Sequence, residues 1–279
     1  MSQPAFEGMP EPLYPAAPAR LTTYLDCPRR YRMTYLDRPT PAGGPWGHLS
    51  VGAAVHTALA RWWALPRERR TPESGGALLV GAWLGDGFKD RAQLDAARER
   101  SRLQVEHYLA HVDPDDEPLA VERTLTLRTP RASLWGRVDR IDDRPGQGIV
   151  VVDYKTGRSV PTVDTVRSSL ALAVYASAAA RTLRRPCTRV ELHHLPSGQV
   201  VAWDHTEESL ATHLDRADAL AAELSGLDGR FRAGLPVEEA DRAFPPRVAS
   251  RCGWCSVRAA CPAGREVPPQ QRWAGVPTG

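Results

Sequence analysis

Val51, Val55, Leu59 and Trp62 recur at helical spacing, which predicts a helix over about 48–65 with one apolar stripe, capped by Ser50. Further helices are predicted over 22–37, 74–111, 164–184 and 207–231, the second of them turning Leu78, Trp83, Phe88 and Leu94 toward a core. Elsewhere the apolar period falls to two. Strands are predicted near 118–127, 134–142, 148–155, 188–195 and 199–204, and Ile149 to Val152 is the β-branched run of a buried strand. Residues 1–19 hold five prolines and little apolar content, so they read as a disordered tail, and 263–279 read as a flexible one. What remains over 20–262 is a single α/β domain: a mixed central sheet flanked by helices, with an N-terminal helical elaboration.

Pro145 and Gly146 signal a turn between the strands at 134–142 and 148–155. Folded about that turn, antiparallel partners have residue numbers summing to about 292, which sets Asp139 across from Asp153 with Cβ atoms about 5 Å apart. Alternation then places Asp153 and Lys155 on one face and turns Tyr154 away. Two carboxylates so close raise each other's pKa unless a cation lies between them. A few oxygen ligands completed by water suit Mg²⁺ or Mn²⁺ better than zinc. Lys155 could then orient an attacking water or stabilise charge growing on a phosphate. The plainer alternative is a pair of solvated aspartates, one of them bridged to Lys155.

Composition singles out that lysine. Of 36 Lys plus Arg residues only Lys89 and Lys155 are lysine, and lysine alone of the two can lose its proton at ordinary pH. A net charge of +3 gives weak general attraction to nucleic acid, so local clusters matter more. These are Arg29, Arg30 and Arg32, then Arg137 and Arg140 beside Asp139, then Arg158, and finally Arg251 and Arg258. In one groove they would bind phosphates, with Tyr24, Tyr31 and Trp254 stacking on unpaired bases. There is no signal peptide and no apolar run of about 18 residues, so a cytoplasmic protein with no membrane contact and no disulfides is expected. Cys252, Cys255 and Cys261 form C-x2-C-x5-C, tight enough for one metal centre. Completed to four, such thiolates hold Zn²⁺ or a [4Fe-4S] cluster, and spacing does not separate the two. Cys187 reads as a small buried hydrophobe. His107 and His111 read as surface, and His193 and His194 point to opposite faces of a strand. No G-x-x-x-x-G-K-(S/T) occurs, so any ATP-driven unwinding would fall to a partner.

Gly136 to Asp142, GRVDRID, followed by Val151 to Gly157, VVDYKTG, resembles the core of the RecB-like branch of the PD-(D/E)XK nuclease superfamily. Three more segments agree in order: RLTTYLDCPRRYRMTYL from Arg20, GAAVHTALARWW from Gly52, and Cys252-Gly-Trp-Cys255 followed by Cys261-Pro262. The resemblance spans about 20–262. It implies a restriction-endonuclease-like core and a metal-dependent DNA nuclease, by preference an exonuclease, in DNA repair, recombination or related processing. It assigns Mg²⁺ or Mn²⁺ to His56, Asp139, Asp153 and the backbone carbonyl of Tyr154, with Glu122 in support, and gives Lys155, Asp153 and Asp139 the catalytic roles. Cys27 becomes the fourth ligand of an iron-sulfur clasp joining the first helix to the tail, with zinc as the alternative. Arg29, Arg30, Arg137, Arg158 and Tyr175 would contact DNA, and a helicase or other DNA-processing subunit would be a partner. The chain departs from the family where Gln-x-x-x-Tyr is expected, since Ala171-Leu-Ala-Val-Tyr175 puts an alanine at the glutamine position. That departure leaves a non-catalytic DNA-binding or scaffold subunit of a helicase-nuclease assembly as the alternative function. An iron-sulfur redox sensor is a third reading.

Overall fold

A proline after Cys27 divides the first helical segment. In the computed structural model, which describes residues 12–39 and 44–276, strand β1 (Tyr14–Ala16) is followed by helix α1 (Pro18–Asp26), and Tyr14, Ala16 and Leu21 are buried. The disordered tail expected over 1–19 therefore does not include Tyr14 and Ala16, because their side chains belong to the core; residues 1–11 lie outside the described residues. The residue before a proline is driven out of the helical region, so Cys27 is extended at φ −164° and ψ 108°, and α2 (Pro28–Arg32) starts afresh with the proline in its first turn. Met33–Asp37 close it as a wider π turn. The one helix expected over 22–37 is thus three pieces.

Helix α3 (Gly47–Trp63) buries Val55, Leu59 and Trp62 as its stripe predicts. Ser50 is not its cap; it lies one turn inside, and its hydroxyl donates to the Asp86 carbonyl at 2.9 Å. The long helix expected over 74–111 is two, α4 (Pro72–Ala82) and α5 (Arg91–Leu109). Between them Gly87 sits at φ 85° against the backbone of Trp46 and Gly47, where a side chain has no room. Asp90 then caps α5, accepting from the Gln93 N–H at 2.8 Å.

Strands β2 (Ala120–Arg128), β3 (Ala132–Arg144) and β4 (Gly148–Lys155) follow. The helix expected over 164–184 is α6 (Val163–Arg167) and α7 (Leu170–Leu183), parted where Ser169 caps the second. Strands β5 (Arg189–His194) and β6 (Gln199–Asp204), then helices α8 (Glu207–Arg232), α9 (Val237–Ala243) and α10 (Pro262–Arg265), complete the chain. β3 is the spine of the mixed sheet. β2 pairs antiparallel along one side of it; on the other, β1 runs parallel to its start and β4 antiparallel to its end, and β5 and β6 extend the sheet beyond β4. β4 joins at Arg140↔Val152 and Ile141↔Val151, the register that a turn at Pro145-Gly146 requires. From Trp135 to Asp139 the β3 edge between β1 and β4 has no strand partner among the described residues. Helices α1, α7 and α8 cover the face carrying Leu134, Ile141 and Val151, while α3, α4 and α5 cover the face carrying Val150, Val152 and Tyr154. Among the described residues no helix is long and apolar enough to cross a membrane.

The segment expected as a flexible tail over 263–279 is instead ordered through Val276, which is buried. The Gln93 amide donates to the carbonyls of Trp273 and Val276 at 3.3 and 3.1 Å, and the Gly47 N–H donates to the Arg272 carbonyl at 3.1 Å. Backbone carbonyls, which composition does not reveal, tie this segment to α3 and α5.

Two buried acids hold separate parts of the fold. Asp228 of α8 accepts from the hydroxyls of Tyr14 and Tyr31 and from the Arg20 guanidinium. Glu191 of β5 accepts from Arg144, Arg189 and His193. Burial alone would raise the Glu191 carboxyl, but the His193 hydrogen bond and the two guanidinium groups outweigh it and hold it at about 2. Burial keeps His193 below its ordinary value, so near neutral pH its Nε2–H donates to Glu191 while Nδ1 accepts from the Tyr108 hydroxyl at 2.8 Å. The unfolded chain binds the Glu191 proton more readily than the folded one. Its carboxylate therefore stabilises the fold above about pH 4.3, and that contribution disappears as pH falls toward 2. Glu191→Gln is expected to cost about 2 kcal/mol at neutral pH and to flatten the acid-side fall of Tm between about pH 4 and pH 2. An unchanged acid limb in the variant's Tm-against-pH curve would remove Glu191 as its cause.

Candidate active site

Asp139 uses its two oxygens for two purposes. Oδ2 accepts from the Tyr154 backbone N–H at 2.8 Å, carrying the β3–β4 pairing one residue past Arg140↔Val152 by means of a side chain. Oδ1 lies 3.2 Å from Nδ1 of His56, delivered by α3, and Oε1 of Glu122 lies 3.8 Å from the same nitrogen. Ligand atoms of His56, Glu122 and Asp139 all lie within 4.8 Å of one another, so the three could hold a metal ion.

The sheet is irregular where these acids emerge. Leu134, Val138 and Ile141 share the core under α7, although strict alternation would turn Ile141 away from the other two; in β2, Leu125 and Leu127 share that core while Val121 packs on the opposite face. Alternation slips in both strands between the pairs Arg123↔Val138 and Val121↔Arg140. Within the slip stand Glu122 and Asp139. Glu122 has φ 50°, a left-handed conformation that costs a non-glycine residue about 1–3 kcal/mol and recurs at functional sites.

On β4, Lys155 Nζ lies 2.5 Å from Asp153 Oδ2, so alternation sets this pair on one face as expected. Burial raises the Asp153 carboxyl above its ordinary value, with Lys155 opposing and Asp139 adding to the rise. Burial and then Asp139 raise Glu122, against the pull of Arg137, whose Nε is 2.6 Å away, and of His56. Burial acts in the opposite sense on His56, but the hydrogen bond and charge of Asp139, aided by Asp153 and Glu122, carry it above its ordinary value. His56, Glu122 and Asp153 thus all hold protons more tightly than they would in water. Burial is the first cause for the two carboxyls and Asp139 for His56, with neighbouring acids adding to each rise, and a bound cation would offset these costs. The donor set therefore fits a divalent ion.

The site opens into a cleft of about 960 Å³ that Arg61, Arg100, Arg137 and Arg158 also line. Tyr175 of α7 lies against Gly136, where any Cβ would strike its ring. Burial, then the charges of Asp153 and Asp139, push its phenol to about 12. Ala171 is half-buried one turn earlier on α7.

Several expected DNA contacts are placed elsewhere. Arg29 is buried, bound to the Phe244 carbonyl and to Asp241. Arg30 is half-buried beside Cys255, away from the cleft lining. Arg140 is buried on the far face with Asp142, Tyr108 and Tyr154. Tyr24 and Tyr31 are buried and cannot stack on bases, because their hydroxyls are drawn inward to Glu223 and Asp228. Arg100 and Trp135 are cleft residues that the motifs do not include, and Arg61 stands in the segment from Gly52 without having been singled out. The one sequence signal for Trp135 is an aromatic residue at an outward position between the inward Leu134 and Gly136.

The cysteines of the N-terminal and C-terminal segments gather at a second place. The Arg247 N–H donates to Cys27 Sγ at 3.4 Å, while the Cys252 thiol reaches the Arg247 carbonyl at 4.0 Å. Burial raises the Cys255 thiol, with Arg30 lowering it and Cys252 and Cys261 adding to the rise. All five cysteines are free, and Cys187 is buried in the main core.

The family model of the PD-(D/E)XK nuclease superfamily matches residues 15–262. No curated protein matches the chain in sequence. Among solved structures, a provisionally named exonuclease from Eubacterium rectale aligns with 14% identity and a TM-score of 0.46, covering 85% of this chain and 89% of its own. The structure of SSO0001 aligns with 13% identity and a TM-score of 0.39, covering 91% of this chain and 88% of its own. Two acids emerging at an irregularity of a mixed sheet, a following Asp-Tyr-Lys strand and the family match over nearly all of the described residues lead to one conclusion: the chain belongs to the PD-(D/E)XK nuclease superfamily.

Proposed function

We propose that this protein is a Mg²⁺- or Mn²⁺-dependent deoxyribonuclease of the RecB-like kind, an exonuclease working in the cytoplasm in DNA repair, recombination or related processing. The convergence of His56, Glu122 and Asp139 beside the Asp153–Lys155 pair carries this reading. His56, Glu122, Asp139 and Asp153 would hold the ion, with the Tyr154 carbonyl as a further ligand. Once bound, the ion supplies Lewis-acid polarisation of the scissile phosphate. Lys155, half-exposed on the same face, positions the attacking water and stabilises negative charge on the phosphate. The Tyr175 hydroxyl stays protonated at working pH and can donate to a phosphate oxygen. Arg137 and Arg158 at the cleft mouth meet the flanking phosphates.

Cys27, Cys252, Cys255 and Cys261 are proposed to hold a [4Fe-4S] cluster that clasps the Cys27 turn to the C-terminal segment. The Arg247 backbone touches both Cys27 Sγ and the Cys252 thiol, and Cys255 feels Cys252 and Cys261, which supports one shared centre for the four. Iron and sulfide assays on anaerobically purified protein test it against zinc.

Ala171 favours one second reading, a DNA-binding scaffold subunit serving a helicase, since the resemblance implies a glutamine amide at this position and a methyl group offers no polar contact. Digestion of end-labelled single- and double-stranded DNA with Mn²⁺ or Mg²⁺, beside Lys155→Ala and Asp153→Ala, decides between them. Metal-dependent cleavage that both substitutions lower at least about 100-fold is the expected result. Binding without cleavage by the wild type would leave the scaffold reading.

A further inference from the structure

The outward positions of β3 are Ser133, Trp135 and Arg137, facing Arg128, Thr126 and Thr124 of β2. Only Trp135 among these six is apolar. Its indole is 50% exposed, and among the described residues it has no ring contact or hydrogen bond. Single apolar side chains scattered over a surface are ordinary, but this one lines the cleft, four residues before Asp139. Leu49 of α3, also exposed, lines the same cleft, as do Arg61, Arg137 and Arg158. An apolar ring flanked by guanidinium groups is suited to a nucleobase whose phosphates lie to either side.

We propose that Trp135 is a base-stacking platform that admits unpaired nucleotides to the cleft and makes single-stranded DNA its preferred substrate. The inference rests on the nuclease reading of the same site. In a duplex both faces of each base are already covered by neighbours, so an indole gains little there. An unpaired base offers a free face, and stacking does not depend on which base it is.

The test measures binding without turnover. Affinities for a fluorescein-labelled twelve-nucleotide oligo-dT, and for a duplex of the same length, are compared in EDTA for wild type, Trp135→Ala and Trp135→Phe. Trp135→Ala is expected to lose about tenfold in single-strand affinity while its duplex affinity stays within about twofold, and Trp135→Phe to retain most of the single-strand affinity. A 2-aminopurine placed along the strand is expected to be quenched at one position by the wild type and not by Trp135→Ala. Unchanged single-strand affinity in Trp135→Ala, equal losses on both substrates, or no DNA binding by the wild type would each overturn the proposal. Cleavage assayed separately with Mn²⁺ keeps the two readings apart. A wild type that does not cut but loses single-strand binding selectively on Trp135→Ala sinks the nuclease and leaves the platform, whereas cutting with Trp135→Ala identical to wild type does the reverse.

Discussion

Asp139→Asn is expected to lower metal-dependent cleavage at least about 10³-fold while changing stability by less than about 1 kcal/mol. The two effects separate because the two carboxylate oxygens do. An asparagine oxygen can still accept from the Tyr154 N–H, now 2.8 Å from Oδ2, so the β3–β4 junction survives. The other atom, 3.2 Å from His56 Nδ1, becomes an uncharged amide nitrogen that cannot ligate a cation. Removing one anionic ligand from three clustered donors costs several kcal/mol of charge stabilisation at the phosphate, and each 1.36 kcal/mol is tenfold in rate. Single-turnover cleavage at saturating Mn²⁺, with Tm measured alongside, checks both halves. A variant cutting within tenfold of wild type would show that Asp139 is not a ligand.

The second large effect is on folding. Asp228→Ala is expected to cost about 3–5 kcal/mol, a large part of the 5–15 kcal/mol that holds most domains together. Asp228 is fully buried, 2.9 Å from the hydroxyls of both Tyr14 and Tyr31 and 2.7 Å from the Arg20 guanidinium. Truncation leaves the Arg20 charge without its anion and the bonded Tyr14 and Tyr31 hydroxyls without their shared acceptor, and the cost lies in the groups left behind. Asp228→Asn, which keeps an acceptor, should lose roughly half as much, and Tyr14→Phe about 1 kcal/mol. Urea unfolding of the three variants ranks them. A loss under about 1 kcal/mol for Asp228→Ala would mean that the N-terminal segment is held by apolar burial alone.

What was legible in the sequence follows from what is local. The stripe on α3 and the register of β3 with β4 are set by periods and by one turn, so Val55, Leu59, Arg140 and Val152 lie where the pattern puts them. Asp153 and Lys155 share a face for the same reason. Breaks set by single residues were also written in the sequence: Pro28 parts α1 from α2, and Gly87 parts α4 from α5, yet apolar spacing on either side runs on as if unbroken. Contacts between distant segments were not legible. Tyr14 sits in a proline-rich stretch, yet it is buried in the main core with its hydroxyl on Asp228 of α8, 214 residues away. Val276 is fixed by a glutamine on α5. The slip at Glu122 and Asp139 is the most consequential of these, since a strict period of two hides it, and it is what brings both acids to His56.

Asp139 also offers a way to read relatives of this chain. One oxygen accepts from the sheet and the other faces His56 at the proposed cation site, so on that reading a lineage released from the need to cut DNA would still be held to an acceptor at this position but no longer to a charge. Asparagine meets the first demand alone. A relative with asparagine here and the rest of the sheet intact would have kept the architecture and surrendered the reaction, and a single letter in its sequence would record the change.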